Sequence, residues 1–162
     1  MRQHRYCVLH PLTGRYVLQR GEVHQVKVFE RPIVYFIQGE LTKRIKIGST
    51  QWLIDERMRH LQTGSPDELV FIGAYFGTDF TETELHTLFA STRVHGEWFE
   101  PSHEIEHFVS EHCVTDLGSH FYTFQQIQDG TLSLEQAIRL GPKQLAKRYE
   151  KHLANIAASI SF

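Results

Sequence analysis

Between Ile33 and Phe99 the apolar residues keep changing their spacing, and this succession limits the fold more than any other feature of the chain. Ile33 to Ile37 is a β-branched and aromatic run, and Gly39 opens a connection. Arg44-Ile45-Lys46-Ile47 then alternates polar with apolar, as a half-buried strand does. Trp52 to Gln62 takes helical spacing and is ended by Gly64. Leu69 to Phe76 is a continuous apolar run of β-formers, the pattern of a central strand. Asp79 or Thr81 can cap a further helix running to about Thr92, and Gly96-Glu97-Trp98-Phe99 reads as a short extended piece. The order β-β-α-β-α predicts an α+β core with a three-stranded, mostly antiparallel sheet flanked by helices.

The flanks are of two kinds. Tyr6-Cys7-Val8-Leu9, a turn at Pro11 to Gly14, Tyr16-Val17-Leu18 and Val26-Lys27-Val28 predict an N-terminal β extension over 1–31. Residues 102–162 read as a helical C-terminal extension. Ser102 caps a helix with Ile105, Phe108 and Val109 on one side. Ser133 with Gln136 makes a capping box for Leu134 to Leu140. Gly141-Pro142 breaks the chain and starts a last helix carrying Leu145, Tyr149, Leu153 and Ile156, with Lys143, Lys147, Arg148 and Lys151 around it. The remainder, 32–101, is the core.

Charge separates these parts as well. Residues 1–31 carry six Lys and Arg against two Glu, 32–101 carry six against ten acids, and 102–162 carry five against seven. The core alone is thus a poor holder of polyanions, and if the partner is DNA or RNA the flanks supply much of the phosphate contact. Cys7 and Cys113 are the only cysteines and form no CxxC pair, and the N-terminus is not signal-like. Free thiols in a reducing cytoplasm are therefore expected. The 11 His show no zinc-ligand spacing, and no apolar run approaches a membrane span.

Two charged residues fall where a soluble helix does not ordinarily put them. On a helical wheel Leu53, Ile54, Met58 and Leu61 mark the apolar side of the first helix; Arg57 lies within it and Arg59 nearly opposite. A guanidinium against apolar neighbours calls for a fixed anion, and phosphate fits its fork of donors. The alternative is a pairing with a core carboxylate such as Glu82. On the second helix Leu85, Leu88 and Phe89 mark the inner face. Glu82 sits at its edge above Leu85, His86 and Phe89, while Glu84 points away. Such a carboxylate either caps the helix or holds a cation, and one Glu with waters and a substrate phosphate is an ordinary Mg²⁺ site. Tyr35 shares strand parity with Ile33 and Ile37, so it is either a core tyrosine or an inward phenol. Lys46 shares parity with Arg44 and Gly48, the pattern of a solvated strand face. Gly48 ends its strand, where a backbone either approaches a phosphate or simply turns.

Taken in order, these positions resemble the GIY-YIG nuclease superfamily, in its phage and mobile-element branch with KIG and GEWF signatures. Ile33-Val34-Tyr35 stands in the GIY place and Lys46-Ile47-Gly48 in the YIG place. Arg57-Met58-Arg59-His60-Leu61-Gln62-Thr63-Gly64 looks like the branch's RLxxLQTG helix, and Glu82 to Phe89 looks like its ExxLHxxF helix. Arg93 and Gly96-Glu97-Trp98-Phe99 complete the pattern. The resemblance implies a metal-dependent DNA endonuclease. Tyr35 would orient or deprotonate the attacking water. Arg57 would stabilise charge on the phosphoryl oxygens, and Glu82 would ligate Mg²⁺ or Mn²⁺. Lys46, in place of the second signature tyrosine, could act on Tyr35 or on the phosphate. The loop before Arg57 is one residue longer than usual and contains Trp52, so Arg59 is the alternative arginine; the wheel favours Arg57.

Other residues support this reading less directly. Gly48, His86, Lys143, Lys147 and Arg148 are candidate substrate contacts, with a boundary histidine the alternative for His86 and a support role the expectation for Glu97. The helices either side of Gly141-Pro142 are either a helix-turn-helix-like reader or an ordinary hairpin. The competing functions are a non-catalytic nucleic-acid-binding or regulatory protein, motivated by the acidic core and the absent tyrosine, and an interaction module using Phe121, Tyr122 and Phe124.

Overall fold

The computed structural model describes residues 4–9, 16–21, 32–51 and 54–160, with side chains from 32 onward except those of 55 and 56. Strands β1 (His4–Leu9) and β2 (Tyr16–Gly21) pair antiparallel as a two-stranded sheet of their own. The turn expected at 11–14, the strand expected at 26–28 and Trp52 lie outside the described residues.

The main sheet has five strands, not three. β3 (Ile33–Gly39), β4 (Ile45–Thr50), β5 (Leu69–Tyr75), β6 (Arg93–His95) and β7 (Trp98–Phe99) assemble in the order β5-β3-β4-β7-β6, every pair antiparallel. The two added strands are three and two residues long, too short to show an alternation of their own. Their formation also shortens the second core helix: α2 is Glu82–Leu88, followed by one 3₁₀ turn over Ala90–Thr92, instead of running to Thr92. Thr81 is its N-cap, its hydroxyl accepting from the Glu84 amide at 3.2 Å.

Helices cover both faces, which explains the unbroken apolar run of β3: a strand buried on two sides has no polar face to alternate with. Ile33, Tyr35 and Ile37 face a core shared with Ile54 of α1 (Ile54–Thr63), with Phe121 and Phe124 of α4 (Leu117–Gln128), and with Ala137 and Leu145 of α5 (Leu134–Ile160). Val34 and Phe36 face the opposite core, shared with Leu85 and Phe89 of α2 and Ile105, Phe108 and Val109 of α3 (His103–His112). The segment read as a C-terminal extension thus supplies one wall of the layer that holds Tyr35.

Three local devices set the frame. The Asp67 carboxylate accepts from the Leu41 and Thr42 amides at 2.9 and 3.2 Å and from the Thr42 hydroxyl at 3.1 Å, closing the turn between β3 and β4. The Gln62 side chain bridges the end of α1 to β5, donating to the Asp67 carbonyl and accepting from the Leu69 amide at 2.9 and 2.8 Å. Val114 exchanges both backbone hydrogen bonds with Ala74, covering the outer edge of β5.

The C-terminal helices agree with the caps read from the sequence: Ser102 accepts from the Ile105 amide, and Ser133 and Gln136 form the reciprocal box. Gly141 breaks α5 with φ 76° and ψ 170°. The joint is this single residue, shorter than the turn of about 3–4 residues of a helix-turn-helix reader. Phe121 and Phe124, expected as a possible interaction patch, are core, and Tyr122 stacks on His152 at 4.4 Å. Cys113 is a buried free thiol whose pKa burial pushes up. No described helix is long and apolar enough to cross a membrane.

Candidate active site

The candidate residues gather where β7 stops short and the outer margin of β4 is left to α2. β7 pairs with Ile45 and Lys46, and the Glu97 carbonyl still accepts from the Ile47 amide at 3.0 Å. Register then decides what meets across β3 and β4. Tyr35 lies opposite Gly48 and Ile37 opposite Lys46, so the phenol and the ammonium rise from one face of the sheet.

Gly48 is required by its neighbour. A Cβ at this position would lie 2.4 Å from the Tyr35 hydroxyl and 2.5 Å from Cζ, so the missing side chain is the space through which the ring passes. The hydroxyl ends beneath Arg57, whose Nε donates to it at 3.2 Å. Tyr35 is 0% exposed, whereas Arg57 is an exposed residue. The guanidinium therefore lies over the phenol, its planar fork turned to the surface while one nitrogen is fixed. Among the described residues its hydrogen-bond partner is Tyr35 and not a carboxylate. The hydrogen bond to Tyr35 first, with Glu97 and Glu82 adding and burial opposing, holds Arg57 still more firmly protonated. Arg59 is exposed on the other side of α1.

Lys46 departs from its expected place. It is 8% exposed instead of lying on a solvated strand face, with Trp98 and Glu97 against it. A buried ammonium needs an anion, and Glu97 supplies it through a close ion pair. Lys46 also lies 5.9 Å from the centre of the Trp98 ring. Burial pushes the Glu97 carboxyl up. The hydrogen bond and charge of Lys46, a hydrogen bond with Glu82 and the nearness of His86 outweigh it and hold Glu97 below the usual carboxylate range. Glu97 is thus the hub of the site: it pairs with Lys46 on β4 and lies within the electrostatic reach of Glu82 and His86 on α2.

His86 has another task. Its Nε2 is 2.8 Å from the Ile47 carbonyl, which only accepts, so this nitrogen carries the proton. The same nitrogen is 3.7 Å from Glu82 Oε1, one helical turn away. His86 fastens α2 to β4 and lies one helical turn from Glu82.

Glu82 is half-buried at the first turn of α2, while Glu84 is exposed. Oxygen donors from Glu82 and Glu97 are those a hard cation takes. Among the described residues no group of three or more His, Cys, Asp or Glu is arranged to hold a metal ion. The fit is to a site in which the protein supplies one or two carboxylates, and water and substrate complete the shell.

The C-terminal candidates stand apart from this cluster. Lys143, Lys147 and Lys151 are exposed at four-residue intervals on α5, with Lys143 4.0 Å from Glu111. Arg148 is turned inward, donating to Gln126 at 3.0 Å. Sequence reasoning found Arg57 and Glu82 through their place on helical wheels. It understated Glu97, whose partners arrive by strand pairing and leave no trace in local spacing.

No curated protein and no solved structure matches the chain. A family model does, over residues 32–115, just over half of the length, and its description is T5orf172 domain. This is a different family from the GIY-YIG nucleases, and the assignment suggested by the signature residues is corrected accordingly. The match takes in the whole five-stranded sheet, α1, α2, α3 and the Val114 edge bridge, so the site just described lies inside it. The chain belongs to the T5orf172 domain family.

Proposed function

We propose that the protein hydrolyses phosphodiester bonds in DNA with the help of a divalent metal ion. The observation that carries this reading is an exposed, anchored guanidinium with a pair of carboxylates acting on it where α2 meets β4: Arg57 on Tyr35, with Glu82 and Glu97 close by. The T5orf172 family is compatible with a nucleic-acid-related function. Arg57 binds the phosphoryl oxygens and stabilises the charge that develops on them. Tyr35 holds Arg57 in the resting site and becomes available to the attacking water when the phosphate draws Arg57 off its hydroxyl. Glu82, one helical turn from His86, is the metal-holding carboxylate, with Mg²⁺ or Mn²⁺ as the ion. When bound, the ion supplies charge neutralisation at the phosphate and the leaving oxygen. Lys143 and Lys147 grip the backbone of the duplex away from the reacting bond.

The test is incubation of supercoiled plasmid with Mg²⁺ or Mn²⁺, comparing wild type with Glu82→Ala. Metal-dependent nicking by wild type alone is expected. Equal conversion by both proteins in every metal would end the enzymatic reading. One observation favours a second reading, a nucleic-acid-binding protein without catalysis: the Tyr35 phenol is sealed from solvent. Binding of DNA without cutting would select it.

A further inference from the structure

Lys46 and Glu97 form an unequal pair. The lysine side chain is one-tenth exposed and backed by Trp98, so it stays in place; the glutamate side chain is four-tenths exposed and free to swing outward. Lys46 cannot be left without an anion at this depth, but nothing requires the anion to be Glu97. Glu97 also lies within the electrostatic reach of Arg57, so both cations of the site act on one carboxylate. Glu82 lies close by: it is among the groups that act on Glu97, and both carboxylates act on Arg57.

We propose that Glu97 is a placeholder anion, filling on Lys46 the seat that a substrate phosphate takes. The inference rests on the phosphodiesterase reading and deepens it: the recognised group is a DNA backbone phosphate, and Glu97 governs its admission. A phosphate arriving at Lys46 exchanges one anion for another and leaves no buried charge unpaired. The displaced carboxylate remains within reach of Glu82, and a divalent cation can hold the two together. Binding of a divalent ion and binding of phosphate therefore favour each other, and Glu97 is the positioning residue that couples them.

The experiment measures the affinity of a fluorescently labelled DNA duplex by anisotropy at fixed salt, without metal and with Ca²⁺. The variants are Glu97→Gln, Glu97→Asp, Lys46→Met, the double variant Lys46→Met/Glu97→Gln, and Glu84→Gln as a control for loss of one acidic charge. Glu97→Gln is expected to tighten metal-free binding about fivefold, the scale of one modest ion pair, and Glu84→Gln to change it by less than about twofold. The gain should vanish in the Lys46→Met background. Ca²⁺ should tighten wild type more than it tightens Glu97→Gln. If Glu97→Gln melts early, Glu97→Asp carries the test, since its shorter arm weakens the hold on Lys46 and should give part of the gain. A gain no larger than that of Glu84→Gln, or one that persists without Lys46, overturns the proposal. DNA binding with this pattern but no cutting in any metal would sink the phosphodiesterase reading and leave the anion seat standing. Absence of DNA binding by every protein would sink both.

Discussion

At the scale of the residue, the site is built by one absence. Gly48 leaves room for the Tyr35 ring, and the ring in turn carries Arg57. Gly48→Ala should therefore push the ring aside, costing about 1–3 kcal/mol in urea denaturation, as overpacking does, and lowering cleavage through Arg57. A second residue sets the response to acid. The His120 ring is wholly buried between Phe71, Phe76 and Phe121, neither ring nitrogen has a hydrogen-bond partner among the described residues, and burial holds its pKa down at about 3. Between that value and the ordinary histidine value of about 6.5 the unfolded chain takes up a proton and the folded chain does not. The stability it permits is thus complete above the upper value and falls as the pH drops toward the lower. At pH 5 the loss is about 2 kcal/mol. Denaturation at pH 7.5 and pH 5 checks this: His120→Phe should lose less stability than wild type by that amount. Of these features, the placing of Arg57 on the sheet side of α1 was legible from helical spacing, although the residue itself is exposed. The burial of Lys46 was not, because Arg44-Ile45-Lys46-Ile47 reads as a half-solvated strand until Trp98 and Glu97 close over it.

At the scale of the element, two connections carry the arrangement. Asp67 collars the β3–β4 turn, and its hydrogen bonds, that from the Leu41 amide foremost, hold its pKa below the usual carboxylate range against the effect of burial. Such a group stabilises the fold above its unfolded pKa, near 4, and the contribution is lost as the pH falls through the lower folded value. Asp67→Asn keeps one acceptor and removes this acid-side dependence, which a pH series of melting curves would show. Gly141 sits at a backbone conformation that side chains rarely adopt. Gly141→Ala should cost on the order of 1–3 kcal/mol, read as a lower melting temperature. The capped helices were legible from Ser102, Thr81, Ser133 and Gln136, because a cap is a local bargain between neighbours. α4 was not: Gly118, Thr123 and three aromatics are poor helix formers, and the buried Ser119, His120 and Thr123 blur its apolar side. Tertiary packing makes that helix. Likewise β6 and β7 exist because the β4 edge is there to pair with.

At the scale of the whole molecule, the sheet divides two cores, and α4 and α5 belong to the first of them. Phe121, Phe124, Ala137 and Leu145 lie in the same cluster as Tyr35 and Ile37. A fragment ending at residue 101 should therefore fail to fold cooperatively, losing its thermal transition, even though the signature residues all lie before that point. Charge is also divided: the acidic carboxylates of the site face one way, and the Lys143, Lys147 and Lys151 row lies on α5. Replacing each of these lysines should lower the salt dependence of duplex binding by about one unit of slope, if it meets a phosphate. The central claim, that Arg57 and Glu82 act together on a phosphodiester, is tested most directly by single-turnover cleavage of an end-labelled duplex in Mg²⁺. The account expects Arg57→Ala and Glu82→Ala each to slow cleavage by about a hundredfold or more, with melting temperatures unchanged. Cleavage by both variants at the wild-type rate would contradict it.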